Sequence, residues 1–219
     1  MSLTLHFHPL SSFCHKVLIA LYENGTPFAP KLVDLGDAEQ RAAFHALWPV
    51  GKFPVLQDDA RRETVPESTI IIEYLDQHYP GKTRFIPAEP EQSRVVRSRD
   101  RFFDLHIHLH MQKIVGDRLR PANAKDPHGV ADARTRMDAA LGIAEKEMAQ
   151  QTWAAGESFS MADCAAAPAL FYADKVAPFA GIYPNLVAYL DRLRRRPSYA
   201  RTLKEAEPYF KFFPKDEAA

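Results

Sequence analysis

The side chains best suited to chemistry lie near the start of the chain, within residues 3–21, which read LTLHFHPLSSFCHKVLIAL. Two hydroxyls and a thiol, those of Ser11, Ser12 and Cys14, fall where a helix is expected to begin. Free N–H groups and the positive end of the helix dipole stabilise a nearby anion or thiolate by roughly 0.3–2 kcal/mol. The spacing therefore predicts a site that favours negative charge, where a fold can activate a sulfur nucleophile.

A strand and a helix must position these groups. Apolar residues alternate with polar ones over residues 3–7, which predicts a strand, and Pro9 ends it. Apolar residues then recur at helical spacing up to the Asn-Gly pair at 24–25, where glycine tolerates the left-handed backbone that ends a helix. In the first helical turn, Cys14 can be either a reactive thiol with a lowered pKa or a packed structural thiol.

Composition excludes several classes of protein. Of the 219 residues, 46% are hydrophobic and 26% are charged, which is typical of a globular protein with one large or two ordinary domains. The formal net charge of zero argues against a general nucleic-acid surface. No apolar run reaches the roughly 20 residues that span a bilayer, so no membrane association is expected. The two cysteines argue against a disulfide framework, and we expect a cytoplasmic protein.

Three histidines, His106, His108 and His110, lie two residues apart in a stretch with helical periodicity. Alternate residues of an α-helix point about 200° apart, so only His106 and His110 would share a face. Two histidines without a nearby carboxylate make a poor metal site. We therefore expect no metal.

Two regions with different periodicity follow one another. Up to residue 80 the chain mixes β-rich segments with helical ones. The β-rich segments are 28–35, 53–57 and 64–65, and the helical ones are 38–47 and 68–78. Residues 81–91 contain two prolines and read as a linker. The predicted fold is an α/β domain over residues 1–80, followed after the linker by an all-helical bundle over residues 92–219.

Two short segments in the first region carry further groups of interest. Proline cannot donate to a sheet, so Pro54 must lie at an edge, at a bulge or after a cis bond, and the frequency of cis bonds, about 5%, favours trans. A cis bond would leave the Phe53 backbone free to pair with an extended peptide. Glu67 and Ser68 open the next helix and could hold a group with both an ammonium and a carboxylate, although a serine there also serves as a helix cap.

Taken in order, the motifs SSFCHKV, GKFPVL and ESTIIIEYL resemble the N-terminal domain of cytosolic glutathione transferases. In the second region, the motif FSMAD is similar to the family's capping box, with Ser160 and Asp163 as the reciprocal pair. The resemblance covers nearly the whole chain. It implies a thioredoxin-like domain that binds glutathione, an all-helical domain that supplies most of the pocket for a second substrate, and a homodimer.

The same resemblance implies which residues hold glutathione. Phe53, beside a cis Pro54, would offer its backbone to the cysteinyl part. Glu67 and Ser68 would hold the γ-glutamyl ammonium and carboxylate, and Lys52 would reach the glycine carboxylate.

The activating residue of the family aligns with Ser11 in some classes and with Ser12 in others. We favour Ser11, and both stay open. A hydroxyl there would donate a hydrogen bond to the thiolate and lower the pKa of the thiol. Members that exchange disulfides have C-x-x-C, whereas this chain has S-x-x-C, which disfavours covalent thiol transfer and leaves Cys14 as a possible assisting thiol.

The second-substrate pocket is expected to include His8 at the end of the first strand, and Phe103, His106 and His110 from the long helix. The aromatic segment 208–214 either covers this pocket or seals the helical core. The predicted function is a glutathione transferase that conjugates its cosubstrate glutathione to a small hydrophobic electrophile. Two alternatives stay open: a non-catalytic glutathione-binding or stress-regulatory module, and a glutathione-dependent isomerase similar to maleylacetoacetate isomerase.

Overall fold

The computed structural model describes residues 2–215, which fold into a small sheet domain and a helical domain. The first region contains β1 (Leu3–Phe7), α1 (Ser12–Asn24), β2 (Ala29–Leu32), α2 (Ala38–Leu47), β3 (Val55–Asp58), β4 (Glu63–Pro66) and α3 (Ser68–His78). Residues 79–89 contain neither helix nor strand. The boundaries assigned to the two domains from sequence stay a prediction.

The second region consists of helices. They are α4 (Pro90–Phe102), a π-helical segment (Phe103–His108), α5 (Leu109–Arg118), a 3₁₀ turn (Ala122–Ala124), α6 (Pro127–Met148), α7 (Met161–Val176), α8 (Pro184–Arg195), α9 (Pro197–Ala206) and a 3₁₀ segment (Glu207–Phe212). Together with the sheet, this architecture confirms the predicted fold class, a thioredoxin-like domain followed by an all-helical one.

The four strands form one mixed sheet in the order β2-β1-β3-β4. β1 is parallel to β2 and antiparallel to β3, and β4 is antiparallel to β3. β2 is shorter than the predicted segment 28–35: Ala29–Leu32 pair with β1 at this edge of the sheet, and Pro30 lies within the paired stretch. Gly25 ends α1 as predicted: its φ of 61° is left-handed, and its N–H bonds to the Leu21 and Tyr22 carbonyls.

Helix α1 joins the two regions. It packs against α3 on one side and against α7 and α9 on the other. One continuous apolar cluster accordingly contains Leu5 and Ile71 from the sheet domain together with Phe103 and Leu170 from the helical domain. Because α1 carries the hydroxyls at its start, burial of its body fixes those hydroxyls at the junction of the two regions.

Two helix starts in the second region are set by carboxylates. Asp126 caps α6 by accepting the Gly129 N–H at 2.9 Å, and Pro127 occupies the first turn, where its missing N–H costs nothing. Asp163 near the start of α7 accepts the Ser160 N–H at 2.8 Å, as the capping-box motif predicts. The same carboxylate accepts the Tyr189 hydroxyl at 2.6 Å, which ties α7 to α8.

Candidate functional site

A cleft of about 610 Å³ lies between the sheet domain and helix α4. We call it the polar cleft because charged and hydroxyl side chains dominate one of its walls. All five residues predicted to hold glutathione line it: Lys52, Phe53, Pro54, Glu67 and Ser68. The structure thus brings together residues from two segments that flank the β3–β4 hairpin in the sequence.

Glu67 adopts an unusual backbone conformation at the start of α3. It is the N-cap residue, with a φ of 70° and no side-chain capping bond, so that Ser68 is the first helical residue rather than the cap. A left-handed conformation costs a residue other than glycine about 1–3 kcal/mol and occurs most often at functional sites. Glu67 is exposed and Ser68 is buried, which places a free carboxylate at the mouth of the cleft and a hydroxyl deeper inside.

The Phe53–Pro54 peptide bond is cis, as the family resemblance implies and contrary to the base rate that favours trans. Residues 53 and 54 precede β3 and do not belong to the strand. The Phe53 ring lies 6.0 Å from the rings of both His8 and Phe44. The Phe53 ring therefore lies close to His8, just after the end of β1, and to Phe44 of α2.

A buried ion network forms the floor of the polar cleft. The Lys16 ammonium lies 2.5 Å from Asp100 Oδ1 and 2.8 Å from Asp104 Oδ2, and it donates to the Thr69 hydroxyl at 2.8 Å. Thr69 in turn donates to Asp100 at 2.8 Å. Burial raises the pKa of the Asp104 carboxyl, although Lys16 opposes the shift. The Lys16 ammonium thus faces the Asp100 and Asp104 carboxylates next to Thr69, the residue that follows Ser68.

A second cleft of about 510 Å³ adjoins the first, and Phe53 and Gln112 line both. We call it the apolar cleft because carbon-rich side chains from α5, α7 and the C-terminal segment form most of its wall. Its other lining residues are His8, Leu10, Ser11, Ser12, Met111, Val115, Gly116, Leu119, Tyr172, Phe212, Phe213 and Pro214. Residues 212–214 of the aromatic segment thus line this cleft, while Phe210 and Phe213 also pack against the apolar core.

The two serines of the apolar cleft differ in their hydrogen bonds. Ser11 is the N-cap of α1, and its Oγ accepts the Cys14 N–H at 3.3 Å. Since it acts there as an acceptor, its own proton can be donated into the cleft. Ser12 is buried, and its Oγ lies 2.5 Å from Nε2 of His108. The structure therefore leaves the Ser11 hydroxyl available and pairs the Ser12 hydroxyl.

Cys14 is fully buried and lines neither cleft. Burial raises the pKa of its thiol to about 12, even though the Ser11 hydrogen bond acts in the opposite direction. At neutral pH, Cys14 is a protonated core residue. Burial and the raised pKa argue against the assisting role that was considered for this thiol, and that role stays a prediction.

Of the four residues predicted for the second-substrate pocket, only His8 lines the apolar cleft. Phe103 is fully buried, His106 is exposed and lies 5.7 Å from the Phe102 ring, and His110 lies near Asp132 and Arg136 of α6. None of these three side chains lines the apolar cleft, and their assignment to a second-substrate pocket stays a prediction.

His108 is the histidine that the π-helical segment turns inward, and the sequence argument missed it. Besides its bond to Ser12, its ring lies 4.1 Å from that of Phe13. Burial, reinforced by the nearby Lys16 ammonium, lowers the pKa of His108 to about 3, so the imidazole is neutral. His108 follows the helical spacing of the buried residues Asp104, Ile107 and Met111, so periodicity can place it inside the protein but cannot reveal its bond to Ser12.

Among residues 2–215, no group of three or more His, Cys, Asp or Glu side chains is arranged to hold a metal ion. Within the same residues, no helix combines the length and the apolar character that crossing a membrane requires.

Family comparisons match both regions. The family model described as glutathione S-transferase, N-terminal domain, matches residues 5–83, and the model of the C-terminal domain matches residues 102–197. A glutathione S-transferase of Methylobacillus flagellatus, solved with glutathione bound, has a TM-score of 0.84 and 26% identity, covering 92% of this chain and 98% of that one.

Curated relatives agree with the domain matches. The chain is 31% identical over 163 residues to the glutathione S-transferase-like protein LUC7 of a Fusarium species, which covers 72% of this chain and 71% of that protein. It is 25% identical over 190 residues to glutathione S-transferase GstB of Escherichia coli, with 86% and 91% covered. A stringent starvation protein A homologue of Haemophilus influenzae is 27% identical over 208 residues, with 94% and 92% covered.

Proposed function

Because this chain belongs to the glutathione S-transferase family, we propose that it binds glutathione along the polar cleft and transfers the glutathione sulfur to an apolar electrophile in the adjoining cleft. One observation carries the proposal. The Ser11 hydroxyl lines the apolar cleft beside Phe53, which also lines the polar cleft, so a thiol held by the Phe53 backbone would lie between the two.

The charges of the polar cleft suit the two ends of glutathione. The Glu67 carboxylate would pair with the γ-glutamyl ammonium. Ser68 and the free N–H groups at the start of α3 would bind the γ-glutamyl carboxylate. Lys52, exposed at the opposite end, would pair with the glycine carboxylate.

Ser11 would activate the thiol. Its hydroxyl donates a hydrogen bond to the sulfur, which stabilises the thiolate relative to the thiol and lowers the thiol pKa, while the proton leaves to solvent. The thiolate then forms a bond to the electrophilic carbon. The pairing of Ser12 with His108 supports Ser11 in this role, because the Ser12 hydroxyl already has a partner at 2.5 Å.

The test compares two matched variants, Ser11→Ala and Ser12→Ala, with wild type. Glutathione consumption and conjugate formation are measured with a panel of electrophiles, and glutathione binding is measured separately by calorimetry. We expect Ser11→Ala to lower kcat/KM by about 100-fold while glutathione still binds. We expect Ser12→Ala to retain most of the rate. A larger loss in Ser12→Ala would move the activating role to that residue, and unchanged rates in both variants would exclude a serine.

A second candidate, a regulatory glutathione-binding module, is favoured by the stringent starvation protein A homologues among the relatives. It predicts glutathione binding without turnover of any electrophile in the panel. The stoichiometry of the same assay separates a further case: turnover that leaves the glutathione concentration unchanged would indicate glutathione-dependent isomerisation.

A further inference from the structure

Two histidine rings hold the peptide bond between Pro9 and Leu10, just before Ser11. Nε2 of His15 lies 2.6 Å from the Pro9 carbonyl oxygen, and the Leu10 N–H donates to Nδ1 of His8 at 3.2 Å. Leu10 and Ser11 both line the apolar cleft. The peptide that leads into the candidate activating residue is therefore fixed at its carbonyl and at its N–H group.

The turn between β1 and α1 does not hold this peptide by itself. The turn is closed by the Ser11 N–H, which donates to the His8 carbonyl at 3.0 Å. Such a bond joins the first and fourth residues of a β-turn and leaves the middle peptide without a partner. The common turn types differ in the orientation of that middle peptide, so a second group is needed to fix it. His15 supplies this group from within α1.

Ser11 depends on such support, because its own side-chain bond is long. Its Oγ accepts the Cys14 N–H at 3.3 Å, beyond the usual range of about 2.7–3.2 Å for such bonds. The Ser11 carbonyl, by contrast, accepts the His15 N–H at 3.0 Å. His15 thus holds the turn twice, by its backbone at Ser11 and by its ring at Pro9.

The His15 ring is itself kept in one place. It is fully buried, and the rings of Tyr172 from α7 and Tyr199 from α9 lie 5.8 and 6.4 Å from it. A carbonyl can only accept a hydrogen bond, so Nε2 of His15 carries the proton and donates it. Burial lowers the pKa of His15 to about 4, which keeps the imidazole uncharged at neutral pH. The helical domain therefore holds a neutral donor against the turn.

This inference rests on the proposed function, in which the Ser11 hydroxyl activates glutathione. We propose that His15 is a positioning residue, whose ring fixes the Pro9–Leu10 peptide so that the Ser11 hydroxyl is directed to the glutathione sulfur. His15 lines neither cleft, so it touches neither substrate. It acts through Ser11, because a hydrogen bond to the thiolate depends steeply on distance and direction.

A purely structural explanation competes with this one. A buried carbonyl needs a partner, and His15 could satisfy the Pro9 carbonyl without any consequence for Ser11. Loss of the bond would then lower the stability of the protein and leave the glutathione thiol unchanged. The two explanations are separated by measuring the ionisation of the bound thiol as well as the Tm.

The experiment replaces His15 with two amides of different reach. The amide nitrogen of glutamine is as many bonds from Cα as Nε2 of histidine, whereas that of asparagine is one bond closer. His15→Gln therefore keeps a donor for the Pro9 carbonyl, and His15→Asn does not reach it. The thiolate of bound glutathione is measured by its ultraviolet absorbance, and kcat and the KM for glutathione are measured with an electrophile of the panel.

The two variants should differ in the thiolate and not in glutathione binding. At a pH below the thiol pKa, we expect His15→Asn to lower the thiolate fraction and kcat about tenfold, with the KM for glutathione within about twofold of wild type. His15→Gln should stay within about threefold of wild type in all three quantities. An unchanged thiolate fraction in His15→Asn would overturn the inference.

The Ser11→Ala background shows whether His15 acts through Ser11. In this background, His15→Asn should cause no further loss of thiolate, because the hydroxyl that it positions is absent. A further tenfold loss there would overturn the inference. If Ser11→Ala alone leaves the thiolate fraction unchanged, the proposed role of Ser11 fails before any His15 variant is compared, and the inference fails with it.

Tyr199→Phe is the control for a general loosening of the core. It removes a buried hydrogen bond of 3.1 Å to the Ala167 carbonyl, from a ring that lies beside His15. Both Tyr199→Phe and His15→Asn should lower the Tm, but only His15→Asn should change the thiolate fraction. An equal change in Tyr199→Phe would assign the effect to the core as a whole and would overturn the inference.

A second variant tests the turn if His15→Asn does not fold. His8→Phe removes the acceptor of the Leu10 N–H at a half-buried position and keeps an aromatic ring there. We expect it to lower the thiolate fraction about threefold in wild type and not at all in the Ser11→Ala background. An unchanged fraction in wild type, or an equal loss in both backgrounds, would show that the turn does not position Ser11.

Discussion

The polar and apolar clefts adjoin at Phe53 and Gln112, yet the chain builds them in opposite ways. The predicted glutathione-holding wall of the polar cleft comes from two short contiguous segments, 52–54 and 67–69, set on either side of the β3–β4 hairpin. The apolar cleft draws its wall from the end of β1, the start of α1, α5, α7 and the C-terminal segment. A site made from local segments can be recognised in a sequence, whereas one made from distant elements depends on how the helices pack.

The two clefts also differ in the interactions that hold their walls together. Beneath the polar cleft, a fully buried lysine is held by two carboxylates and a threonine. Ring contacts dominate the wall of the apolar cleft, and a hydrogen bond from Arg118 to the Pro214 carbonyl at 3.0 Å helps to hold its C-terminal part. Changes to the first should therefore unfold the protein or weaken glutathione binding, and changes to the second should alter the choice of electrophile.

The largest expected effect is the loss of stability in Lys16→Met. This change leaves the Asp100 and Asp104 carboxylates buried without their cation, which costs about 3–5 kcal/mol. Urea unfolding gives the free energy of unfolding. The control is Lys52→Met, which removes an exposed lysine of the same cleft and should change stability by less than about 0.5 kcal/mol while it weakens glutathione binding. Equal stability of the two variants would show that the floor network contributes nothing to folding.

The five residues predicted to hold glutathione line one cleft, because they belong to two short segments that flank a single hairpin. Their types alone favoured a trans Pro54 and left Ser68 open as a helix cap, so this prediction depended on the family resemblance. The network beneath them could not be found this way, since Lys16 lies on α1 and its two carboxylates lie on α4 and the π-helical segment. Of the residues predicted for the second-substrate pocket, only His8 lines the apolar cleft, because that cleft is assembled from elements that lie far apart in the sequence.

The second prediction concerns acid. Burial lowers the pKa of His15 to about 4 and that of His108 to about 3, whereas both would titrate near 6.5 in the unfolded chain. The unfolded state therefore binds more protons below about pH 6.5, and the stability that is fully present above this pH falls as the solution is acidified. Each histidine contributes about 1.4 kcal/mol per pH unit until its folded pKa is reached.

Urea unfolding at a series of pH values measures this slope. His15→Gln keeps a side-chain donor for the Pro9 carbonyl and cannot be protonated, so the slope between about pH 6 and pH 5 should fall by about 1.4 kcal/mol per pH unit. An unchanged slope in this variant would mean that His15 is charged in the folded protein.

The third prediction returns to the mouth of the polar cleft. Glu67→Gln removes the charge expected to face the γ-glutamyl ammonium, and glutathione should bind about tenfold more weakly with little change in kcat. Glu73→Gln is the control, since this carboxylate lines the same cleft and is paired with Arg97 at 2.9 Å. Calorimetric binding of glutathione separates the two. If Glu73→Gln weakened binding as much as Glu67→Gln, the cleft would act through its total charge and not through the residue at the start of α3.

The smallest expected effect tests the aromatic cover of the apolar cleft. Phe213 stacks on Tyr172 at 5.4 Å with an interplanar angle of 24°, a contact worth about 0.5–1.5 kcal/mol beyond the burial of area. In Phe213→Ala, the KM for an apolar electrophile should rise by about three- to tenfold while the KM for glutathione is unchanged. Phe213→Leu restores the apolar volume without the ring and should recover part of the loss. A rise in both KM values would mean that the C-terminal segment supports both clefts. The clefts would then differ in their lining residues but would not bind their substrates independently.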